Sequence, residues 1–220
     1  MSAGILFSQM HPPVGEDADF QDWYESEHIP ARMAIPGFAS AMRYETEGEP
    51  RYLAVYFLDD MAALDTPEYR RLKEEPTERT ARMLAHVTGF TRYTADLISD
   101  TGDVDAREAS ILFVVAFEVP DSDEADFEAW YQGEHVRLLM QVPGWLRVRR
   151  YKTRPGSAGR PWTHFALHEI RDLSVLDAPE RAAARDTPLR AALARRPWFD
   201  SGRWNYTPIH YAFSSTKEHR

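Results

Sequence analysis

Two stretches carry the same unusual set of side chains: FQDWYESEHIP at Phe20–Pro30 and FEAWYQGEHVR at Phe127–Arg137. Each places a Trp-Tyr pair ahead of a Glu-His pair. Residues three or four apart on a helix share a face, so Phe20, Tyr24 and His28 form one ridge, and Phe127, Tyr131 and His135 form its twin. Trp23 with Glu27, and Trp130 with Glu134, form the neighbouring ridge. Histidine is the side chain most easily poised on either side of neutral pH: a helix C-terminus favours its charged form, and apolar burial favours the neutral one. His28 and His135 are therefore candidate general acids or bases, Tyr24 and Tyr131 candidate partners for a substrate oxygen, and Trp23 and Trp130 candidate walls of an apolar pocket. The same pattern also suits a packing device in which the aromatics are core and each histidine bonds a strand carbonyl. Glu27 and Glu134 are expected to be solvated or paired with an arginine.

A second set lies on one later strand of each half. YLAVY puts Tyr52 and Tyr56 on one strand face, and HFALH puts His164 and His168 at the matching places. All four are candidate substrate-binding residues. His135, His164 and His168 have the side chains for a metal ion, but an i, i+4 spacing on a strand separates alpha carbons by about 13 Å. No metal site and no cofactor is expected. With no cysteine in the chain, thiolate ligands, cysteine nucleophiles and disulfides are excluded. Neither a phosphate-cradling glycine loop nor a Gly-x-Ser-x-Gly turn is present. Arg43 and Arg150 are expected in ion pairs across a sheet, the basic run Arg147–Arg154 on a strand with one charged, solvated or salt-bridged face, and His11 and His210 at the surface or a sheet edge.

The elements that position these residues also come in duplicate. ILF at Ile5–Phe7 returns at Ile111–Phe113, PGF at Pro36–Phe38 as PGW at Pro143–Trp145, and LDTPE at Leu64–Glu68 as LDAPE at Leu176–Glu180. The offsets are 106 (111 minus 5), 107 (143 minus 36) and 112 (176 minus 64). So small a drift with the order preserved means one unit repeated with short loop insertions. In the first copy an apolar strand from Ile5 leads to a helix with Asp17 and Asp19 as N-cap candidates, interrupted at Pro30. Two strands follow, then a helix capped by Thr66 with Pro67 at its first position, then a closing strand. That order is β-α-β-β-α-β, the ferredoxin-like arrangement. The predicted fold is α+β: two tandem units whose antiparallel sheets bury their open faces in one intramolecular α/β barrel. The expected boundaries are 1–98 for the first copy, 99–109 for a polar linker, 110–213 for the second copy and 214–220 for a tail.

This order, the duplication and the motif Trp-Tyr-x-x-Glu-His-x-Pro…Pro-Gly-Phe…Arg-Tyr resemble the dimeric α/β-barrel superfamily, the EthD-like group in particular, over nearly all of both copies. The second copy departs at HVR, where the first reads HIP. The resemblance implies a fused version of what is usually a homodimer: a monomer with an internal pseudo-twofold, with further pairing left open. The superfamily includes isomerases, polyketide cyclases, cofactor-free monooxygenases and haem proteins. The reading adopted is a cofactor-independent acid–base enzyme, an isomerase, cyclase or lyase acting on a small aromatic, polyketide-like or lactone-like molecule. Two alternatives stand beside it: a non-catalytic ligand-binding or structural barrel, and a metal- or haem-dependent oxygenase. A net charge of -9 argues against a nucleic-acid partner. Neither a signal segment nor a run of about 20 apolar residues is present, so no membrane partner is expected and the protein is expected to be cytoplasmic.

Overall fold

A computed structural model describes residues 2–103 and 108–213; the expected tail and the middle of the expected linker lie outside these. In the first copy β1 (Gly4–His11) leads into α1 (Asp17–Trp23), which continues through a π-helical turn (Tyr24–His28) into α2 (Ile29–Met33). Then come β2 (Phe38–Glu45), β3 (Tyr52–Leu58), α3 (Pro67–Glu74), α4 (Glu78–His86) and β4 (Thr88–Thr101). The second copy repeats the order as β5 (Ile111–Phe117), α5 (Glu124–Trp130), a π turn (Tyr131–Val136), α6 (Arg137–Leu139), β6 (Trp145–Thr153), β7 (His164–Ile170), α7 (Pro179–Arg185), α8 (Pro188–Leu193) and β8 (Gly202–Phe213). The eight strands join in one closed antiparallel barrel in the order β1-β3-β2-β8-β5-β7-β6-β4. No helix among the described residues is long and apolar enough to cross a membrane.

Two compact units result. One holds the described residues up to Asp96 with Arg154–Gly159 and the strand end from Ile209; the other holds Leu97–Thr153 and Arg160–Pro208. In each, one face of the strands packs under the helices. Leu6, Met10, Phe38, Tyr52 and Tyr56 meet Phe20, Trp23 and Tyr24 in the first core, and Phe113, Phe117, Trp145 and Ile170 meet Phe127, Trp130 and Tyr131 in the second. The opposite strand faces are buried too, with Ile5, Phe7, Leu53 and Val55 in one unit and Leu112, Val114 and Leu167 in the other.

Local chemistry explains most boundaries. The hydroxyl of Thr66 accepts from the Tyr69 N–H at 3.3 Å, with Pro67 in the first turn as expected. Asp17 and Asp19 do not cap α1: Glu16 occupies the N-cap without a side-chain bond, and both aspartates sit in the first turn, where negative charge complements the helix dipole. Gly37 and Gly144 of the repeated Pro-Gly pair adopt φ of +100° and +89°. A Cβ on either would meet a side-chain carbon at 2.8 Å, Ala63 in one copy and Val175 in the other, so this match is a backbone requirement.

Three expectations are corrected. Pro30 does not interrupt the helix; it falls in the first turn of α2, directly after the π turn, where the hydrogen-bond ladder is already displaced. The second copy forms the same π turn with Arg137 in the corresponding place (30 plus 107), so the turn belongs to the motif and not to the proline. The ILF match is out of register by one residue. Leu6 pairs with Tyr56 and Phe113 pairs with His168, so the structural offset there is 107 (113 minus 6), and Leu6, not Phe7, corresponds to Phe113. A one-residue slip exchanges the two faces of a strand. Finally, both faces of β6 carry charge, because successive side chains alternate and every cation from Arg147 to Arg154 has an acidic partner. Arg149 is paired with Glu169 in the interior, and Arg150 with Glu128 on the helix side.

Candidate active site

A cavity of about 280 Å³ lies in the first unit between α1–α2, the strands and α3–α4. His28, Tyr24 and Tyr56 line it, together with Leu6, Arg32 and Tyr69. The π turn sets this up. It brings the His28 ring against Trp23, five residues back, at 4.3 Å between centroids, and against Tyr24 at 4.8 Å. The two aromatics hold the imidazole from behind, while among the described residues no group hydrogen-bonds its ring nitrogens. Burial, with Arg32 and Arg43 nearby, drives the pKa of His28 well below the usual 6.5, so the imidazole is neutral at pH 7. Its carbonyl accepts from Arg32 Nη1 at 2.9 Å, fixing the arginine at the cavity wall.

The phenols are also distinctive. Tyr56 is buried and its hydroxyl has no hydrogen-bond partner. Burial raises its pKa and that of Tyr24, so both are neutral donors, and Arg43 lies 4.3 Å over the Tyr24 ring. Tyr69 accepts from Arg92 Nη2 at 3.1 Å. Arg32, Lys73 and Arg92 thus stand at a largely apolar cavity with no carboxylate in ion-pair contact among the described residues. Such a site favours an apolar body with an oxygen that carries or develops negative charge.

The second copy is built differently at the same positions. Its cavity is about 40 Å³. His135 Nδ1 donates to the carbonyl of Ala184 on α7 at 3.2 Å, and its ring stacks on Trp130 at 5.1 Å. That carbonyl belongs to a helix, not to the strand anticipated for a packing role. Burial holds His135 at about 4. His168, the counterpart of Tyr56 (168 minus 112), is engaged at both nitrogens: Trp145 Nε1 donates to Nδ1 at 3.2 Å, and Tyr131 lies 3.0 Å from Nε2. Indole only donates, so the ring proton sits on Nε2 and is given to the Tyr131 oxygen. Phe38 stands where Trp145 does (38 plus 107) and offers no donor, which is why the pair closed in one copy is open in the other. The loop between α8 and β8 also brings Phe199 to within 5.2 Å of Trp130, whereas α4 runs almost directly into β4.

The other sequence candidates fall outside the cavity of the first copy. Trp23 supports His28 from behind and donates to Thr80 Oγ1 at 2.9 Å. Tyr52 lies near the start of α1, donating to Asp17 at 2.9 Å, with its pKa pushed up to about 12 mainly by burial. His164 packs on Phe127 with centroids 4.9 Å apart, and burial holds it at about 4. Among the described residues no group of three acidic or histidine side chains is placed to hold a metal ion. Sequence reasoning missed Arg32, Tyr69 and Arg92. A signal existed for the first, which lies four residues beyond His28 on the same helix, and for Tyr69, which falls in the first turn after the Thr66–Pro67 start.

The glutamates of the motif are anchors, and their partners are threonines instead of arginines. Glu27 accepts from Thr77, the N-cap of α4, and from Thr80 at 2.5 Å; Glu134 accepts from Thr187, the N-cap of α8, at 2.6 Å. These hydroxyls hold the Glu27 carboxyl below its usual range. Replacing Glu27 with alanine is expected to cost about 1 kcal/mol, as for loss of a modest hydrogen-bonded anchor. Thermal unfolding checks this, and an unchanged midpoint would show that the carboxylate anchors nothing.

These features define a tandem-duplicated dimeric α/β-barrel fold, with eight strands among the described residues and a substrate-sized cavity in the first copy. Solved structures agree. An anthrone oxidase-like protein aligns over 97% of this chain and 94% of its own at TM-score 0.69 and 13% identity. A putative monooxygenase from Fusobacterium nucleatum aligns over 96% and 94% at TM-score 0.65 and 8% identity. Another from Lactobacillus acidophilus aligns over 97% of both chains at TM-score 0.61 and 10% identity. Identities this low establish the fold alone. Neither a family model nor a curated protein matches the sequence.

Proposed function

We propose that the first copy is a cofactor-independent acid–base site for a small aromatic or polyketide-like ketone or lactone, and that the second copy is its structural counterpart. One observation carries this reading: an imidazole with no hydrogen-bond partner and a buried phenol with none line the same 280 Å³ cavity, while the equivalent groups in the second copy are bonded and enclosed. The neutral His28 takes a proton from a carbon next to the carbonyl. The Tyr56 hydroxyl donates to the oxygen that becomes the enolate, and Arg32 adds positive potential at the wall. Return of the proton from imidazolium to a different carbon completes an isomerisation with no oxidant or metal. The same first step is compatible with the monooxygenase and anthrone oxidase-like descriptions of the structural neighbours. The Trp-Tyr-x-x-Glu-His motif supports kinship with the EthD-like group.

The test is solvent deuterium exchange into a panel of anthrone-type ketones, cyclic 1,3-diketones and unsaturated lactones, followed by NMR with and without dioxygen. Enzyme-dependent exchange is expected for at least one class. Thermal stabilisation by a panel member with no exchange would support ligand binding without catalysis and overturn the proton-transfer step. Tyr56→Phe is expected to slow the exchange by about 10²-fold, as for loss of one oxyanion donor. Its stability should be unchanged or higher, because the hydroxyl it removes is buried without a partner. A clear loss of stability would instead place Tyr56 in the packing of the core.

A further inference from the structure

The small cavity of the second copy is lined by Arg181, Arg185, Arg190 and Arg203. Among the described residues none of the four makes a salt bridge to a carboxylate. Arginines elsewhere in the same unit do: Arg147 with Asp100, Arg150 with Glu128 and Arg196 with Asp123. The chain carries 35 acidic against 26 basic residues, so scarcity of acids does not explain the cluster. Like charges gathered at one opening repel, and an anion between them removes that cost.

The cluster is built, not merely adjacent. The guanidinium of Arg181 bonds the Leu176 carbonyl and lies 5.8 Å over Phe113. Arg190 bonds the Arg185 carbonyl at 3.2 Å and lies 5.3 Å over Phe199. Both are half-buried, whereas Arg185 and Arg203 are exposed at the rim. Strand and helix offsets place Tyr69, Lys73, Thr80 and Arg92 at the matching positions of the first copy (181 and 185 minus 112, 190 minus 110, 203 minus 111). Two neutral side chains of the substrate-sized cavity, Tyr69 and Thr80, are thus replaced by arginines around the small one, while the cationic positions of Lys73 and Arg92 stay cationic. Tyr131 also lines this space; it accepts from His168, so its own O–H proton remains to be donated.

We infer that the second copy holds a binding site for a small, multiply charged oxyanion of the phosphate type, gripped between Arg181, Arg185, Arg190 and Arg203. About 40 Å³ admits an anionic head but not an aromatic body, which separates this ligand from the one assigned to the first copy. Two half-buried arginines supply fixed forks for a tetrahedral anion, and the two at the rim close over it.

The experiment is thermal unfolding of the full chain against increasing inorganic phosphate, with sodium chloride at matched ionic strength as control. Phosphate at about 100 times its Kd is expected to raise the midpoint by about 5 °C, saturably, with chloride giving little. The variant Arg185→Ala/Arg203→Ala, which alters only rim side chains, is expected to fold as wild type by circular dichroism and to lose most of that response. Equal stabilisation by chloride would overturn the site. So would an unchanged phosphate response in the variant.

Discussion

His28→Gln is expected to slow proton exchange by 10²–10⁴-fold, the range for loss of a positioned general base, and to leave the fold nearly as stable as wild type. The matched change in the other copy, His135→Gln, is expected to do the reverse. The two predictions come from the same motif. His28 touches Trp23 and Tyr24 by ring contact alone and opens onto a cavity, so an amide of similar size breaks no hydrogen bond. His135 donates to the Ala184 carbonyl and stacks on Trp130; losing that half-buried bond costs about 1 kcal/mol. Measuring exchange and urea unfolding on both variants gives a two-by-two result. If His28→Gln loses stability and His135→Gln loses activity, the assignment of roles to the copies is reversed. If both lose only stability, the motif is a clamp in each.

That contrast marks how much was legible in the sequence. The duplication, the β-α-β-β-α-β order and the barrel follow from matched motifs and strand periodicity, because those patterns encode which faces must be buried. Legible too were the helix face shared by Tyr24 and His28 and the strand face shared by Tyr52 and Tyr56, but not that Tyr56 would line the cavity with His28 while Tyr52 and Trp23 would not. The state of each copy was not. It depends on single exchanges between packed neighbours far apart in sequence, Phe38 for Trp145 with Tyr56 for His168, and on a loop that delivers Phe199. Neither leaves a periodic signal. The π turn was hidden as well: it widens the helix by one residue, and with it the His28 ring meets both Trp23 and Tyr24. The ILF repeat shows the opposite failure, an identity of letters that the pairing register overrules.

The second large effect concerns acid. Three buried histidines, His28, His164 and His168, and the half-buried His135 are held neutral chiefly by desolvation, two of them at about 4 and two well below 6.5. For a base with a depressed folded-state pKa, the unfolded chain binds the extra proton. The stabilisation is therefore complete above about 6.5 and is lost as pH falls toward the folded value. His135 and His164 alone, each shifted from 6.5 to about 4, are expected to cost about 2 kcal/mol apiece between pH 7 and pH 5, at 1.36 kcal/mol per unit. The combined loss of about 4 kcal/mol is a large share of an ordinary domain stability of about 5–15 kcal/mol. Carboxylates do not set this window. Arg79 and Arg82 hold Asp19, and Arg154 holds Asp96, below the ordinary range, so their contribution fades only at lower pH. The protein should accordingly begin to lose stability near pH 6, well before carboxylates titrate. Urea unfolding at pH 7, 6 and 5 measures it, and a flat profile across those values would mean that the histidines are solvated in solution. His164→Gln supplies the internal check, because removing one buried imidazole should flatten the slope by the share of one proton.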